Sequence, residues 1–262
     1  MFTIYVGVGL ILLVATTLLW LISLLIRDSS IMDIFWGAGS VAAGWLYAFL
    51  PGPAWTPRQI LILSLLTLWG VRLSLHILSR NLGKGEDFRY RAWRKEAGEK
   101  WWWRSYFQVF LLQGFLIWVI SLSLMVALGD SAPTSFVPLD GLAVAMWTTG
   151  FIFEVVADSQ LRRFREDPGN EGRVLNGGLW RYSRHPNYFG EAVIWWSFYA
   201  FAAASGGWWA LLSPLLMTFL LVRVSGVRML EKSLMKTKPE YARYRASTNA
   251  LVPWFPRSAS RD

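Results

Sequence analysis

The sequence contains no cysteine and only two histidines among its 262 residues. The absence of cysteine excludes disulfides and thiolate metal ligands, and it carries no information on the redox compartment. With His76 and His185 as the only imidazoles, we expect no histidine-rich metal site. The sequence also lacks a Gly-x-Gly-x-x-Gly motif after a strand-like run, so we expect no Rossmann domain.

Apolar and aromatic residues dominate what is present. Hydrophobic residues make up 54% of the chain, and 17 residues are tryptophan. This composition is too apolar for a soluble domain and predicts an integral membrane protein. The net charge of +9 therefore indicates basic loops at a membrane surface, and we expect no nucleic-acid partner.

Long apolar runs predict an all-α bundle of about seven transmembrane helices. The expected spans are 2–26, 31–50, 60–78, 106–128, 139–157, 188–205 and 208–227. The first run is too long for a signal-peptide core and lacks a cleavage site, so we expect it to be retained. No repeat or second domain is visible, so residues 1–262 are expected to form a single membrane domain.

The distribution of basic residues predicts the orientation of the bundle. Most of the 26 lysine and arginine residues lie at Arg27 or in segments 80–104, 158–187 and 228–262. Seven alternating spans place all of these on one side, with Arg58 on the other. The positive-inside rule then puts the amino terminus outside and the carboxyl terminus in the cytoplasm.

The charged segment 80–104 ends in Trp101, Trp102 and Trp103. Its pattern fits either an amphipathic helix or a belt of indole rings at the headgroup level, and both alternatives stay open.

The stretch Gly177–Glu191, which we call the corner, concentrates polar chemistry at the mouth of a predicted span. Pro186 favours a helix start, because its missing N–H would be unpaired in a first turn anyway. The free N–H groups of that turn, with Arg181, Arg184 and His185, suit a phosphate group. A positive-inside loop before a membrane anchor is the simpler alternative.

Further polar residues share helix faces near the corner. Asn187 and Glu191 are four residues apart, so their side chains lie on the same face. Four charged residues recur at spacings of four, four and three along the fifth span and its extension: Glu154, Asp158, Arg162 and Arg165. They predict either an ion-paired helix end or a polar groove against the corner.

The string at Gly178–Glu191, with Asp158–Arg165 and Gly172-Arg173 before it, resembles the steroid 5-alpha-reductase superfamily and, within it, the bacterial DUF1295 branch. The similar region is expected to run from about 105 to 257. The resemblance implies an integral membrane reductase that uses NADPH to reduce a carbon–carbon double bond conjugated to a ketone. It further implies a multi-pass protein of the bacterial inner membrane, with a lipophilic substrate that enters from the bilayer and membrane lipids as neighbours.

The same resemblance implies a set of cofactor-binding residues: Glu154, Asp158, Arg162, Arg165, Arg173, Arg184, His185, Asn187, Tyr188, Glu191, Arg228 and Tyr241. The residues themselves agree with this, because arginine forks suit phosphates and carboxylates suit ribose hydroxyls. We expect no metal.

Mammalian steroid reductases polarise the ketone with a glutamate on the second span and a tyrosine on the third. This chain has Asp33 on the second span and His76 on the third, and these are the expected catalytic residues. Asp33 alternatively caps its helix, and His76 alternatively closes the bundle with a carboxylate. Trp36 and Gln113 are expected in the substrate pocket, although a lone glutamine in a span often makes an interhelical hydrogen bond.

Two rival functions remain at this point. Membrane methyltransferases share the Arg-His-Pro-x-Tyr sequence and bind S-adenosylmethionine, which has no phosphates, whereas this chain offers an arginine cluster. A transporter or lipid-binding protein would also explain charges within spans. Substrate identity and oligomeric state are left open by the sequence.

Overall fold

A computed structural model describes residues 1–52, 56–129, 132–224 and 227–257. It is all-helical, with 79% of residues in helices and no strand in the described ranges, which confirms the predicted all-α class. Four described stretches are long and apolar enough to cross a membrane: Phe2–Ile26, Pro57–Asn81, Phe88–Leu128 and Pro138–Glu166. Trp208–Val224 is a shorter apolar stretch. The count of seven spans and the orientation of the termini stay predictions.

The chain divides into two compact units, and the single-domain expectation stays a prediction. Unit 1 comprises Met1–Val137 and Phe201–Ser213, and unit 2 comprises Pro138–Ala200 and Pro214–Asp262. The α-helices of the segment Met1–Val137 are α1 (Phe2–Ile26), α2 (Ile31–Phe49), α3 (Pro57–Asn81), α4 (Phe88–Ala97), α5 (Trp101–Ser105), α6 (Leu112–Ile120) and α7 (Leu122–Leu128). The remaining helices are α8 (Pro138–Glu166), α9 (Pro186–Ala204), α10 (Leu212–Phe219), α11 (Val227–Thr237) and α12 (Tyr241–Ser247).

In unit 1, α2 and α3 form a close crossing at two glycines. A Cβ atom built on Gly37 would lie 2.1 Å from the carbonyl oxygen of Gly70, and one on Gly70 would lie 2.7 Å from that of Gly37. The two backbones can approach this closely only because neither position has a side chain.

The third helix begins earlier than hydropathy predicts, at Pro57. Thr56 and Gln59 form a capping box that closes its first turn. Arg58, expected in an outside loop, is instead fully buried, and it donates hydrogen bonds to the carbonyl oxygens of Ala127 (3.0 Å) and Phe201 (2.8 Å). Arg58 therefore satisfies carbonyl groups at two helix ends of unit 1.

The charged segment before the fourth span is helical and continuous with it. The stretch Phe88–Leu128 extends over 41 residues and includes a π-helical turn at Tyr106–Leu111. Asp87 caps α4 by accepting a hydrogen bond from the backbone N–H of Arg89. Segment 88–97 is thus the first part of a long helix. The charged side chains of this part precede the apolar part of the fourth span in the same helical stretch.

In unit 2, α8 and α9 form a second glycine crossing. A Cβ atom on Gly190 would lie 2.4 Å from the carbonyl oxygen of Gly150 and 2.7 Å from the backbone nitrogen of Glu154. Helix α8 continues to Glu166 without a break, so it includes the extension that the spacing of Asp158, Arg162 and Arg165 predicts. The crossing sets Glu154 directly against α9.

Candidate functional site

The corner has the local structure that its sequence predicts. Helix α9 begins at Pro186, and the carbonyl oxygen of His185 accepts its first helical hydrogen bond, from Phe189, at 3.1 Å. The hydroxyl of Ser183 accepts a bond from the backbone N–H of His185 at 3.1 Å. The turn at residues 183–186 is therefore a capped helix start.

An amide–carboxylate pair joins the corner to α8. The side-chain amide of Asn187 donates to Asp158 Oδ1 at 3.0 Å. Asp158 and Glu154 are 7% and 2% exposed, so both carboxyl groups are buried. Glu191 lies one turn beyond Asn187 on α9 and is half-buried. The structure therefore places Asp158 beside the corner, as the polar-groove alternative predicts.

Glu231 of α11 is the centre of a buried ionic cluster. Its carboxylate accepts from Arg184 Nε at 2.7 Å and lies 3.3 Å from His185 Nε2. The guanidinium of Arg245 contacts its other oxygen at 3.4 Å. The side chains of Arg184, His185 and Glu231 are at most 10% exposed. Arg184 and His185, expected to contact the cofactor, are thus bound to a carboxylate of the protein itself.

The ionisation states in this cluster follow from its burial. Burial lowers the pKa of His185 below its usual value, and Glu231 opposes that shift. Against the burial that favours the neutral acid, hydrogen bonds from His185 and Arg184 lower the pKa of Glu231 to about 2. At neutral pH the cluster therefore contains an ionised carboxylate, a neutral imidazole and the Arg184 guanidinium.

A C-terminal strap, residues 247–257, covers the corner. The backbone N–H groups of Arg184 and Trp254 donate to the carbonyl oxygens of Asn249 and Tyr182, each at 2.9 Å. Ser183 Oγ donates to Leu251 O at 2.7 Å. The strap therefore holds the loop before α9 in place through two main-chain bonds, which depend little on side-chain identity, and through the hydroxyl of Ser183.

Several predicted cofactor residues present cations at the surface of unit 2. The side chain of Arg162 is 64% exposed and makes a long contact, 4.0 Å, with Glu166. Arg165 and Arg173 are also exposed. The carbonyl oxygen of Arg173 accepts a bond from the Lys238 ammonium, which ties its loop to the tail. These three guanidinium groups are accessible cations among the described residues of the predicted site.

The other predicted cofactor residues occupy varied positions. The ring of Tyr188 stacks on that of His185, with centroids 5.4 Å apart. Tyr241 is buried edge-on to Tyr244, and burial raises its pKa above the usual value. The side chain of Arg228 lies outside the described part of the structure, so its assignment stays a prediction.

Unit 1 contains a second polar feature, a chain of hydrogen bonds across α2, α4 and α6. The Tyr90 hydroxyl donates to Asp33 Oδ1 at 2.5 Å. The Gln113 amide donates to the Tyr90 oxygen at 3.1 Å, and Trp36 Nε1 donates to Gln113 Oε1 at 2.6 Å. Arg89 pairs with Asp33 Oδ2 at 2.6 Å. We call these five residues the polar chain.

Two acidic residues hold α4 against the start of α2. Glu86 accepts from Arg94 at 2.7 Å and from the backbone N–H of Ser29 at 2.9 Å. Burial favours the neutral acid, but these bonds lower the pKa of Glu86. Asp87 behaves in the same way through Arg89, and its pKa is lowered too. These ion pairs at the start of α4 fix the helix that carries Tyr90.

The polar chain corrects the expectations for Asp33 in two respects. Asp33 does not cap α2, because its carboxylate bonds to Arg89 and Tyr90. Its neighbour is the phenol of Tyr90 on α4, whereas the expected second catalytic residue is His76 on the third span. The catalytic role of His76 stays a prediction. Trp36 and Gln113 do share one network, and the predicted interhelical hydrogen bond of Gln113 is present.

Tyr90 and Glu231 are the residues that sequence reasoning missed. Tyr90 lies in the charged segment 80–104, whose pattern predicts an amphipathic helix or an interfacial belt and gives no sign of a buried hydroxyl. The signal for Glu231 is its position on α11, where it shares a face with Val227, Leu230 and Leu234. A carboxylate on the apolar face of an amphipathic helix indicates a buried partner.

The described part of the chain has the structure of an all-helical membrane protein with a polar cluster at the start of one helix. A sequence model of the DUF1295 family, described as a protein of unknown function, matches residues 19–248. This match covers most of the chain, so the chain belongs to the DUF1295 family. The family assignment made from the corner is thereby confirmed.

Relatives of the chain include one similar over nearly its whole length. The uncharacterized protein C594.04c of Schizosaccharomyces pombe is 28% identical over 279 residues, which cover 95% of this chain and 79% of the relative. Because this relative comes from a yeast, a bacterial inner membrane stays a prediction.

Shorter matches connect the chain to steroid enzymes. The 3-oxo-5-alpha-steroid 4-dehydrogenase 1 of Bos taurus is 40% identical over 67 residues, which cover 25% of each chain. The protein of that name from Homo sapiens is 37% identical over 65 residues, which cover 24% of each chain. The match thus spans about a quarter of these enzymes. No solved structure matches the chain.

Proposed function

We propose that the protein is a membrane reductase that uses NADPH to reduce a carbon–carbon double bond conjugated to a carbonyl group in a lipophilic substrate. The observation that carries the proposal is the corner of unit 2, where Asn187 donates a hydrogen bond to the buried Asp158, one helical turn from the exposed Arg162. The local similarity to 3-oxo-5-alpha-steroid 4-dehydrogenase 1 supports the reaction class.

The groups at the corner fit a phosphorylated dinucleotide. Arg162, Arg165 and Arg173 are exposed and can offer forked N–H donors to phosphate oxygens. Asp158 and Glu154 can accept hydrogen bonds from ribose hydroxyls or from a carboxamide. Arg184 and His185 act on the cofactor site indirectly, because their bonds to Glu231 fix the helix start that carries Asn187.

When bound, NADPH supplies a hydride, two electrons with a proton, to the β-carbon of the enone. The carbon–carbon π pair shifts toward the carbonyl group and leaves negative charge on its oxygen. A proton delivered to the α-carbon then completes the reduction. The protein must therefore offer a hydrogen-bond donor to that oxygen and a site from which water is excluded.

We assign the donor role to Tyr90 of the polar chain. Its hydroxyl proton points at Asp33, and Gln113 donates to its oxygen, so the group is held from both sides. Donation to a substrate carbonyl requires this hydroxyl to rotate away from Asp33. The carboxylate and tyrosine correspond in type to the pair that the resemblance implies, with Tyr90 supplied by α4.

Cofactor binding tests the first part of the proposal. NADPH, NADH and S-adenosylmethionine are titrated in parallel into the detergent-purified protein. We expect NADPH to bind and Arg173→Ala to weaken its binding by about tenfold or more, because a charged donor to phosphate is lost. Arg163→Ala removes the same charge from an exposed site outside the predicted face and should change affinity less than about twofold.

Other outcomes of these measurements contradict the proposal. Binding of S-adenosylmethionine without NADPH would identify a methyltransferase. Solute transport in vesicles without any cofactor would identify a carrier.

Turnover tests the role of Tyr90. A 3-oxo steroid with a 4,5 double bond is a suitable first probe, and NADPH oxidation is the readout. Tyr90→Phe should lower kcat by about 100-fold with NADPH affinity unchanged, because only the donor to the developing oxyanion is removed. Full activity of the variant would exclude Tyr90 as the donor.

A further inference from the structure

The C-terminal strap carries an exposed aromatic surface. Trp254 is 66% exposed and Phe255 is 74% exposed, and their rings pack edge to face with centroids 6.3 Å apart. The ring of Phe255 also meets that of Tyr182 edge to face at 6.0 Å, and the guanidinium of Arg181 lies over the Tyr182 ring. Val252, 59% exposed, adds an aliphatic side chain from the same strap. We call these five residues the aromatic patch.

Backbone hydrogen bonds hold the patch in place. The N–H of Trp254 donates to the carbonyl oxygen of Tyr182, and the N–H of Arg257 donates to that of Ser247, each at 2.9 Å. The large rings are therefore exposed from a fixed segment of chain. A fixed group of exposed apolar rings indicates contact with a surface that accepts apolar groups.

The position of the patch beside α8 indicates which surface this is. Trp180 Nε1 donates to the carbonyl oxygen of Ala157 at 3.1 Å, and the backbone N–H of Leu179 donates to Gln160 Oε1 at 3.0 Å. Ala157 is the last residue of the predicted apolar span of α8, a helix able to cross a membrane. Tyr182 follows Trp180 by two residues, which span at most about 7 Å. The interfacial layer on each side of the hydrocarbon core is about 5–8 Å thick, so the patch lies at headgroup level.

The exposed residues of α8 change character at the same level. Ile152 and Val156 are 53% and 37% exposed, and they present apolar side chains up to the residue before Ala157. After Ala157 the exposed residues of this helix are charged, beginning with Arg162. Tryptophan and tyrosine rings are enriched at this boundary, and arginine side chains extend from it to the lipid phosphates. The patch combines these residue types.

We propose that the aromatic patch inserts into the headgroup region of the membrane that α8 crosses, and that the strap thereby holds the corner at the membrane surface. The rings of Trp254 and Phe255 lie among the upper acyl carbons, and the guanidinium of Arg181 contacts lipid phosphates. Arg257, exposed at the end of the strap, adds a second cation. The patch needs no cofactor, so this proposal and the reductase proposal can fail separately.

Site-directed fluorescence quenching tests the proposal. Because the chain lacks cysteine, Val252→Cys carries a single fluorophore, and the protein is placed in phosphatidylcholine nanodiscs with a nitroxide on the lipid headgroup. Glu171→Cys, an exposed position after α8, is the control. The nine residues after Ala157 extend α8 by about 13 Å, so the control label lies in water. We expect the nitroxide to quench the Val252→Cys label at least about threefold more than the control label.

A pair of double variants tests whether the rings are responsible. Trp254→Ser with Phe255→Ser, in the Val252→Cys protein, should lower the quenching to that of the Glu171→Cys label. Trp208→Ser with Trp209→Ser also removes two adjacent exposed rings, which are 64% and 62% exposed. This matched control should leave the quenching unchanged. Thermal unfolding of both double variants verifies that each is folded.

Three results would overturn the proposal. Equal quenching of the two labels by the headgroup nitroxide, with the Val252→Cys label open to aqueous iodide, would place the patch in water. Protection of that label from both iodide and the nitroxide would show that protein covers the patch, either another part of this chain or a second copy. Unchanged quenching in the folded Trp254→Ser, Phe255→Ser variant would show that the rings do not anchor the strap.

Discussion

The polar chain of unit 1 and the Glu231 cluster of unit 2 stabilise buried charges in different ways. In unit 1, Asp33 is held by Arg89 and Tyr90, and the chain continues through neutral groups. In unit 2, three cationic or ionisable groups converge on Glu231. In the linear chain of unit 1, the hydroxyl of Tyr90 can rotate and donate its proton to another acceptor. A convergent cluster fixes geometry and leaves its members little freedom.

On the function proposed above, this difference assigns chemistry to the polar chain and cofactor binding to the region that the Glu231 cluster holds. Variants of the polar chain should change turnover and leave NADPH affinity as it is. Variants of the Glu231 cluster should change NADPH affinity, because the cluster fixes the start of α9. The following experiments test that division, and each measures both stability in detergent and NADPH affinity.

The largest effect is expected for Glu231→Ala. Removal of the carboxylate leaves Arg184 and His185 buried beside each other without their shared partner. We expect a loss of about 3–5 kcal/mol in the free energy of unfolding, together with loss of NADPH binding. Glu240→Ala, at an exposed position of the same region, should leave both properties unchanged. Normal NADPH affinity in folded Glu231→Ala protein would show that the cluster does not position the corner.

The two glycine crossings give the next largest effects. Gly190→Ala and Gly37→Ala each push a methyl group against backbone atoms, which should cost about 1–3 kcal/mol. Only Gly190→Ala should also weaken NADPH binding, since the new methyl group displaces Glu154. Gly141→Ala on α8 meets no atom within 4 Å and serves as the matched control. Equal effects of the two crossing variants on NADPH affinity would contradict the division.

Acidification should destabilise the corner by a smaller amount. The pKa of His185 is lowered in the folded protein, so the unfolded chain binds protons more readily below about pH 6.5. Stability is therefore complete above that pH and falls as the pH drops toward the folded pKa. Between pH 7.5 and 5.5 we expect a loss of about 1 kcal/mol. Glu231 adds to this loss only below about pH 4.5, because its folded pKa is about 2.

Thermal unfolding across this pH range measures the effect. His185→Asn, which cannot titrate, should abolish the slope between pH 7.5 and 5.5. An equal slope in that variant would assign the pH dependence to another group.

An effect as small as that of acidification is expected for Gln113→Leu in unit 1. The change removes the bonds to Trp36 and Tyr90, which in a membrane helix bundle contribute about 0.6 kcal/mol each. NADPH affinity should be unchanged, and turnover should fall because Tyr90 is no longer held from its second side. A loss of NADPH affinity in this variant would show that the two regions do not act separately.

Hydropathy predicted the helices well where their bounds do not depend on tertiary packing. The span expected at 2–26 coincides with α1, because a continuous apolar run has no competing signal. The proline rule likewise located the start of α9 at Pro186. The pairing of Asp158 with Asn187 follows from two helix faces that the sequence defined separately.

The sequence was less informative where tertiary partners decide the outcome. Arg58 was assigned to a loop by its charge, but carbonyl groups at helix ends allow it to be buried. Tyr90 was overlooked because charge in segment 80–104 indicated a surface, while the partners of that charge, such as Ser29, are distant in sequence. Local patterns do not reveal which buried group an exposed-looking residue will meet.

The strap bonds have a consequence for the order in which the protein assembles. The side-chain contacts of Ser183 and Arg184 with the strap join residues 64 to 68 positions apart in the chain. At ribosomal rates of about 5–20 residues per second, the corner is synthesised roughly 3–13 seconds before the residues that cover it. During that interval Arg184 and His185 also lack Glu231 for most of the time. During synthesis the corner is therefore an exposed cationic surface. It stays exposed until the strap has been synthesised and covers it.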